Sequence, residues 1–129
     1  MAFGGAQSLY NIRPDLTCLG KIICGGFPIG AFGCRKEIME KVSPLCDVYQ
    51  AGTLSGNPIA TRAGVYVLGY LKEHKDTYEV LRKRGDALKS GMLECASRYG
   101  IHYVINSATG MFTGFFVEGD VHDYESANA

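Results

Sequence analysis

The chain has 129 residues, 47% of them hydrophobic, and thirteen basic against thirteen acidic side chains. Zero formal charge gives no electrostatic reason to expect nucleic acid or an anionic membrane as partner. No apolar run reaches the roughly 20 residues of a membrane span, and the N-terminus lacks the basic-then-apolar pattern of a signal peptide, so a soluble, cytoplasmic protein is expected.

Residues 1–15 show no periodicity, and Pro14 bars a helix around itself. Residues 16–19, Leu-Thr-Cys-Leu, read as a short strand ending at Gly20-Lys21. Residues 22–24 continue apolar until Gly25-Gly26, and residues 30–34 read as a second strand. Unbroken apolar runs of this length predict two adjacent strands buried on both faces. Residues 35–42 read as a short helix stopped by Ser43-Pro44, and residues 43–56 as a long loop of the kind that carries function. Asn57-Pro58 opens a helix to about residue 73, with Ala60, Ala63, Gly64, Val67, Leu68 and Leu71 on its apolar face.

A joint is expected at residues 73–76. Asp76 and Glu79 suggest a capping box for a second helix, whose stripe is Tyr78, Leu81, Leu88, Met92, Cys95 and Tyr99 and which ends at Gly100. Residues 101–105 and 111–117 read as strands joined by a turn over residues 107–110; the polar tail after Gly119 reads as frayed. The five cysteines contain no C-x-x-C pair, which argues against a zinc or redox motif and for buried, reduced thiols. His74, His102 and His122 lie far apart and read as structural or surface residues; no metal site is expected.

Two segments carry chemistry. In L-G-K-I-I-C-G-G-F-P-I-G-A, Lys21 stands alone in an apolar, glycine-rich run. Burial there disfavours its ammonium form and frees an amine for condensation with an aldehyde. The residues alone leave open a lysine whose stem packs while its charge reaches water. In Y-Q-A-G-T-L-S-G-N-P, a glycine and a threonine precede a helix start and can offer donors to a phosphate. An ordinary turn before a capped helix remains the other reading. Neither a Walker A loop nor a G-x-S-x-G nucleophile turn is present.

Together, the two segments closely resemble glutamate-1-semialdehyde aminomutases, class III aminotransferase-like enzymes of fold type I that use pyridoxal 5'-phosphate. Gly4-Gly5-Ala6-Gln7, Pro14-Asp15-Leu16-Thr17 and residues 35–39 match that family in order and spacing, through about residue 120. The resemblance implies an α/β fold: residues 1–74 as the C-terminal part of the large cofactor-binding domain, residues 75–129 as the beginning of a smaller α+β domain. It implies Lys21 as the lysine that forms the Schiff base and shuttles protons. It implies Gly52 and Thr53 as the pair that grips the cofactor phosphate from the neighbouring subunit of a homodimer, with Tyr49 and Gln50 nearby. Cys24 and Cys34 stand where the family commonly has glycine. The aspartate for the pyridine nitrogen, the main phosphate loop and the mobile lid are expected upstream of residue 1, so the segment alone is expected to be inactive. The implied reaction converts glutamate-1-semialdehyde to 5-aminolevulinate for tetrapyrrole synthesis, with the cofactor starting in its amine form. A class III aminotransferase with a separate amino acceptor, a non-catalytic folding or dimer surface, and a plain phosphate-binding module are the alternatives.

Overall fold

The computed structural model describes residues 2–128. It divides into two compact units: one spans Gln7–His74, and the other joins the residues up to Ala6 with those from Lys75 onward. A five-residue helix, α1 (Gly5–Leu9), opens the chain where no periodicity suggested one.

In the first unit, β1 (Leu16–Leu19) and β2 (Ala31–Cys34) pair antiparallel, from Leu16 opposite Cys34 to Leu19 opposite Ala31. Two adjacent strands were expected; their burial is not observed. Leu16, Leu19 and Phe32 are exposed, because a two-stranded ribbon has no layer over either face among the described residues. Residues 22–24 do not extend β1. Gly20 breaks the strand and Lys21–Cys24 coil into a 3₁₀ turn, closed by the left-handed Gly25 (φ 62°).

Helix α2 (Lys36–Met39) is shorter than the expected helix over residues 35–42. Beyond it the chain turns, and Ser43 N–H donates to the Val48 carbonyl (2.8 Å) while Val48 N–H donates to the Lys41 carbonyl (3.0 Å). These bonds close the first part of the long loop on itself, across a cis Ser43-Pro44 bond.

Helix α3 (Pro58–Glu73) begins as the sequence demands. The Asn57 side chain accepts from the N–H groups of Ile59 and Ala60, both at 3.1 Å, and Pro58 occupies the first helical position. Its Ala60 and Gly64 are buried; Leu68, assigned to the same face, is half exposed. The 3₁₀ turn packs onto this small-residue surface. A Cβ on Gly64 would lie 3.2 Å from the Ile23 carbonyl oxygen, so the two backbones meet almost directly.

In the second unit, α4 (Asp76–Arg98) starts after Lys75 with no side-chain cap, so the Asp76/Glu79 box does not form. Asp76 is already inside the helix, and the Glu79 carboxylate is taken by Arg82 (2.7 Å). The covered line passes the half-buried Tyr78, Leu81, Gly85, Lys89 and Met92 and the buried Ala96, while Leu88, Cys95 and Tyr99 are exposed. Gly85 and Lys89 hid this line from a reading by hydrophobicity.

Strands β3 (Val104–Ala108) and β4 (Met111–Phe115) form a hairpin closed by only Thr109-Gly110. The turn is two residues tighter than expected because its backbone is seated on α4. A Cβ on Gly110 would lie 3.0 Å from the Leu81 carbonyl oxygen. The Tyr103 ring lies over Gly114, where no side chain fits, and stacks on Phe116 at 4.7 Å.

The tail is not frayed within the described residues. Val121 is buried, its carbonyl accepts from the Asn106 amide (2.7 Å), and Asp123 and Ser126 form a capping box for α5 (Tyr124–Ala127). The cysteines also depart from expectation: only Cys24 is buried, Cys34 is half-buried, and Cys18, Cys46 and Cys95 are exposed. All three histidines lie at the surface, with His102 beside Glu118 (3.3 Å) and His74 against the Tyr70 ring (4.3 Å). No helix among the described residues is long and apolar enough to cross a membrane.

Candidate active site

Lys21 sits two residues beyond the end of β1, after Gly20, at the first position of the 3₁₀ turn. Its side chain is exposed, so the burial expected for it is not supplied by the residues of this chain. Its backbone is unusual instead. Lys21 has φ 56°, left-handed, a conformation that costs a non-glycine residue on the order of 1–3 kcal/mol. Such a conformation persists only where neighbours hold it, and here they do. Ile23 N–H reaches the Gly20 carbonyl at 3.5 Å, Gly25 N–H donates to Ile22 (3.2 Å), and Phe27 N–H donates to Cys24 (3.3 Å). The Cys24 thiol, fully buried, lies 3.3 Å from the Lys21 carbonyl oxygen.

The result is a small, tied loop. It rests on α3 through Gly64 and through Gly25, whose added Cβ would meet Val67 Cγ2 at 3.0 Å. From it Lys21 faces a shallow, open hollow of about 370 Å³, lined also by Ile22, Gly26 and Phe27. Phe27 supplies an apolar wall that the sequence reading passed over; an aromatic directly after paired glycines was the available signal.

Gly52 and Thr53 lie on the approach to α3. Ser55 N–H donates to the Gly52 carbonyl (2.9 Å) and Asn57 N–H to the Leu54 carbonyl (3.1 Å), so the segment is two turns leading into the Asn57 cap. A side chain at Gly52 would meet Ser55 Oγ at 2.9 Å. Among the described residues, the N–H groups of Gly52 and Thr53 and the Thr53 hydroxyl have no hydrogen-bond partner in the protein, and both residues are exposed. Tyr49 and Gln50 are exposed on the same segment. No hydrogen bond joins Gly52 or Thr53 to Lys21 among the described residues. What connects the two motifs is α3: its N-terminus follows one, and its Gly64 face seats the other.

The family profile of class-III aminotransferases matches residues 3–127. The chain belongs to this family. A glutamate-1-semialdehyde 2,1-aminomutase of Persephonella marina is 49% identical over 129 residues, all of this chain and 30% of that protein. That of Heliobacterium modesticaldum is 51% identical over 125 residues, 97% of this chain and 28% of the relative. The chain thus spans about 30% of the length of the curated relatives it matches. Among solved structures, a β-phenylalanine aminotransferase of Variovorax paradoxus superposes with a TM-score of 0.87 at 31% identity, covering 99% of this chain and 30% of its own. An omega-transaminase of Sphaerobacter thermophilus superposes at 0.84 with 27% identity, over 97% and 30% of the two chains. The fold is therefore α/β, part of the larger fold-type I architecture of these transaminases.

Proposed function

We propose that the full-length protein containing this segment is a glutamate-1-semialdehyde 2,1-aminomutase, a cytoplasmic, pyridoxal-phosphate-dependent enzyme that makes 5-aminolevulinate. The observation that carries this reading is the near-half identity, over the whole segment, to proteins of that name. In this reading residues 1–74 belong to the large domain and residues 75–129 begin the small one.

The residues present fit pyridoxal phosphate. An exposed primary amine on a held, left-handed residue faces a hollow floored by glycine and phenylalanine, suited to a flat ring beside the amine. The unpartnered donors of Gly52 and Thr53 suit phosphate oxygens. Bound, the group supplies an aldehyde and a ring that takes up an electron pair during amino transfer. Lys21 Nζ would hold the cofactor when it carries its aldehyde and would stand free when it carries the amine. Once free, the same Nζ would carry a proton between the cofactor carbon and the substrate carbon that flank the shared nitrogen. Its backbone is fixed by the turn, so only its flexible stem moves between these tasks. Phe27 and Ile22 keep water from one side of the ring.

Gly52 and Thr53 act on the partner subunit's cofactor in this reading. Support comes from the exposed apolar hollow at the same end of α3, lined by Pro58, Ile59, Arg62, Ala63 and Tyr66, a surface suited to a second subunit.

The test uses full-length enzyme and glutamate-1-semialdehyde alone. Aminolevulinate should form with no second amino acid, and Lys21→Ala should lower kcat by at least about a hundredfold, the usual scale for losing a proton-transferring group. A strict requirement for a second amino acid would refute the aminomutase reading in favour of an aminotransferase. For the shared site, Thr53→Val and Lys21→Ala subunits are mixed. Confirmed heterodimers should carry one intact site; their inactivity would refute the sharing.

A further inference from the structure

The segment ahead of α3 is fixed by two overlapping turns, and the Ser55 side chain is folded back over the first of them. Ser55 N–H donates to the Gly52 carbonyl (2.9 Å) and Asn57 N–H to the Leu54 carbonyl (3.1 Å), with the left-handed Gly56 (φ 72°) inside the second turn. Ser55 belongs to both turns, so its backbone is held from either side. A Cβ built on Gly52 would lie 2.9 Å from Ser55 Oγ, closer than real Cβ atoms come, so the hydroxyl occupies space that a side chain at position 52 would need. The backbone does not itself demand glycine there, since Gly52 is not among the glycines with positive φ. A Cβ stands two bonds from its own nitrogen, which puts Ser55 Oγ within about 5.5 Å of the Gly52 nitrogen. Donors so spaced can both reach one phosphate, whose oxygens accept at about 3 Å. Ser55 is exposed, and its hydroxyl, like the N–H groups of Gly52 and Thr53, has no hydrogen-bond partner among the described residues. These donors are separate from the end of helix α3, where the Asn57 side chain already takes the N–H groups of Ile59 and Ala60.

We propose that Ser55 is a further member of the phosphate grip: its hydroxyl donates to the cofactor phosphate beside the main-chain N–H groups of Gly52 and Thr53. The inference rests on the functional reading above, in which this segment holds the phosphate. A hydroxyl adds what two fixed N–H groups lack, because its proton rotates to follow an oxygen. A charged acceptor gains more from such a donor than a neutral one does. A serine that serves only the turns makes a different demand. Its loss disturbs the segment as a whole and does not single out ligands that carry a phosphate.

The experiment compares full-length parent, Ser55→Ala and Thr53→Val. Each apoprotein is titrated with pyridoxal phosphate and with pyridoxal, which keeps the ring and aldehyde but has no phosphate. Schiff-base absorbance reports binding, and thermal unfolding of each apoprotein is recorded in parallel. Ser55→Ala should bind pyridoxal phosphate about tenfold more weakly than the parent, the scale of one hydrogen bond to a charged group, and pyridoxal within about twofold of the parent. Its unfolding temperature should match the parent's. Parent-like affinity of Ser55→Ala for pyridoxal phosphate overturns the inference, as does an equal loss for the two ligands. Should Ser55→Ala not fold, Ser55→Cys, which keeps the shape but donates weakly, is judged by the same two criteria. Thr53→Val separates the inference from the reading beneath it. If Thr53→Val loses pyridoxal phosphate selectively and Ser55→Ala does not, the grip stands without Ser55 and the inference alone is overturned. If neither variant is selective, the segment does not hold the phosphate, and the reading of Gly52 and Thr53 fails together with the inference.

Discussion

Replacing Gly25 by alanine perturbs the lysine loop at a point where two costs can be separated. Gly25 closes the 3₁₀ turn at φ 62°, and a Cβ in that left-handed region costs roughly 1–2 kcal/mol. The same Cβ would stand 3.0 Å from Val67 Cγ2. Val67 is β-branched and helical, so it has one strongly preferred rotamer, and moving it off that rotamer costs about 0.5–1.5 kcal/mol. Gly25→Ala should therefore destabilise the region by about 2–3 kcal/mol. Gly25→Asn meets the same valine but tolerates the backbone better, and should be the milder change. Adding Val67→Ala removes the collision, so the double variant should be more stable than the two single losses imply, by about 0.5–1.5 kcal/mol. Urea unfolding of the full-length protein, with hydrogen exchange read over residues 21–29, measures both quantities. A Gly25→Ala loss below about 0.5 kcal/mol, the size of an ordinary surface change, would refute the strain reasoning. Additivity of the two changes would refute the contact.

Three further outcomes are expected. Asn57→Ala leaves the first N–H groups of α3 without their acceptor and should cost about 1 kcal/mol, with faster amide exchange at Ile59 and Ala60. Gly110→Val drives a side chain into the Leu81 backbone and should cost about 1–3 kcal/mol, visible as a lowered melting temperature and loss of the β3–β4 cross-strand NMR contacts. Hydrogen bonds from the Ser126 backbone and hydroxyl hold the Asp123 carboxyl below the usual aspartate range. A depressed acid favours the folded cap above its unfolded pKa and loses that contribution as pH falls through the folded value. The Ser126 amide shift should follow a midpoint below that of a free aspartate, and an ordinary midpoint would refute the capping box.

What the sequence made legible depended on local chemistry. Asn57-Pro58 states its own helix start, and Gly100 its own stop, because a cap needs only its immediate neighbours. Strand pairing followed from two apolar runs divided by glycines. Burial was misjudged wherever it depended on distant partners: an apolar run signals preference for a covering layer, not its presence. The missed covered face of α4 has the same origin. Gly85 is invisible to a hydrophobic pattern, and it faces inward only because Gly110 arrives from 25 residues away. Lys21 was legible as an oddity among apolar neighbours, but its left-handed backbone was not, since nothing in Gly-Lys-Ile prescribes that conformation. Cys24 looked like a tolerated glycine replacement, and its complete burial was not legible from its neighbours in the sequence.

The seat of the lysine loop on α3 is made of backbone. Gly64 meets a carbonyl, Gly25 meets the edge of a valine, and Ala60 offers only a methyl group. Such a joint has almost no side-chain degrees of freedom with which to absorb an error, so substitutions there should be all-or-none in effect. Ile22 and Phe27 stand outside the joint and are open to solvent. Variation at those two positions can reshape the wall of the hollow while leaving the amine where it is. For mutagenesis libraries aimed at new amine or aldehyde substrates, the useful diversity in this segment lies at Ile22 and Phe27, and residues 25, 60 and 64 should be left untouched.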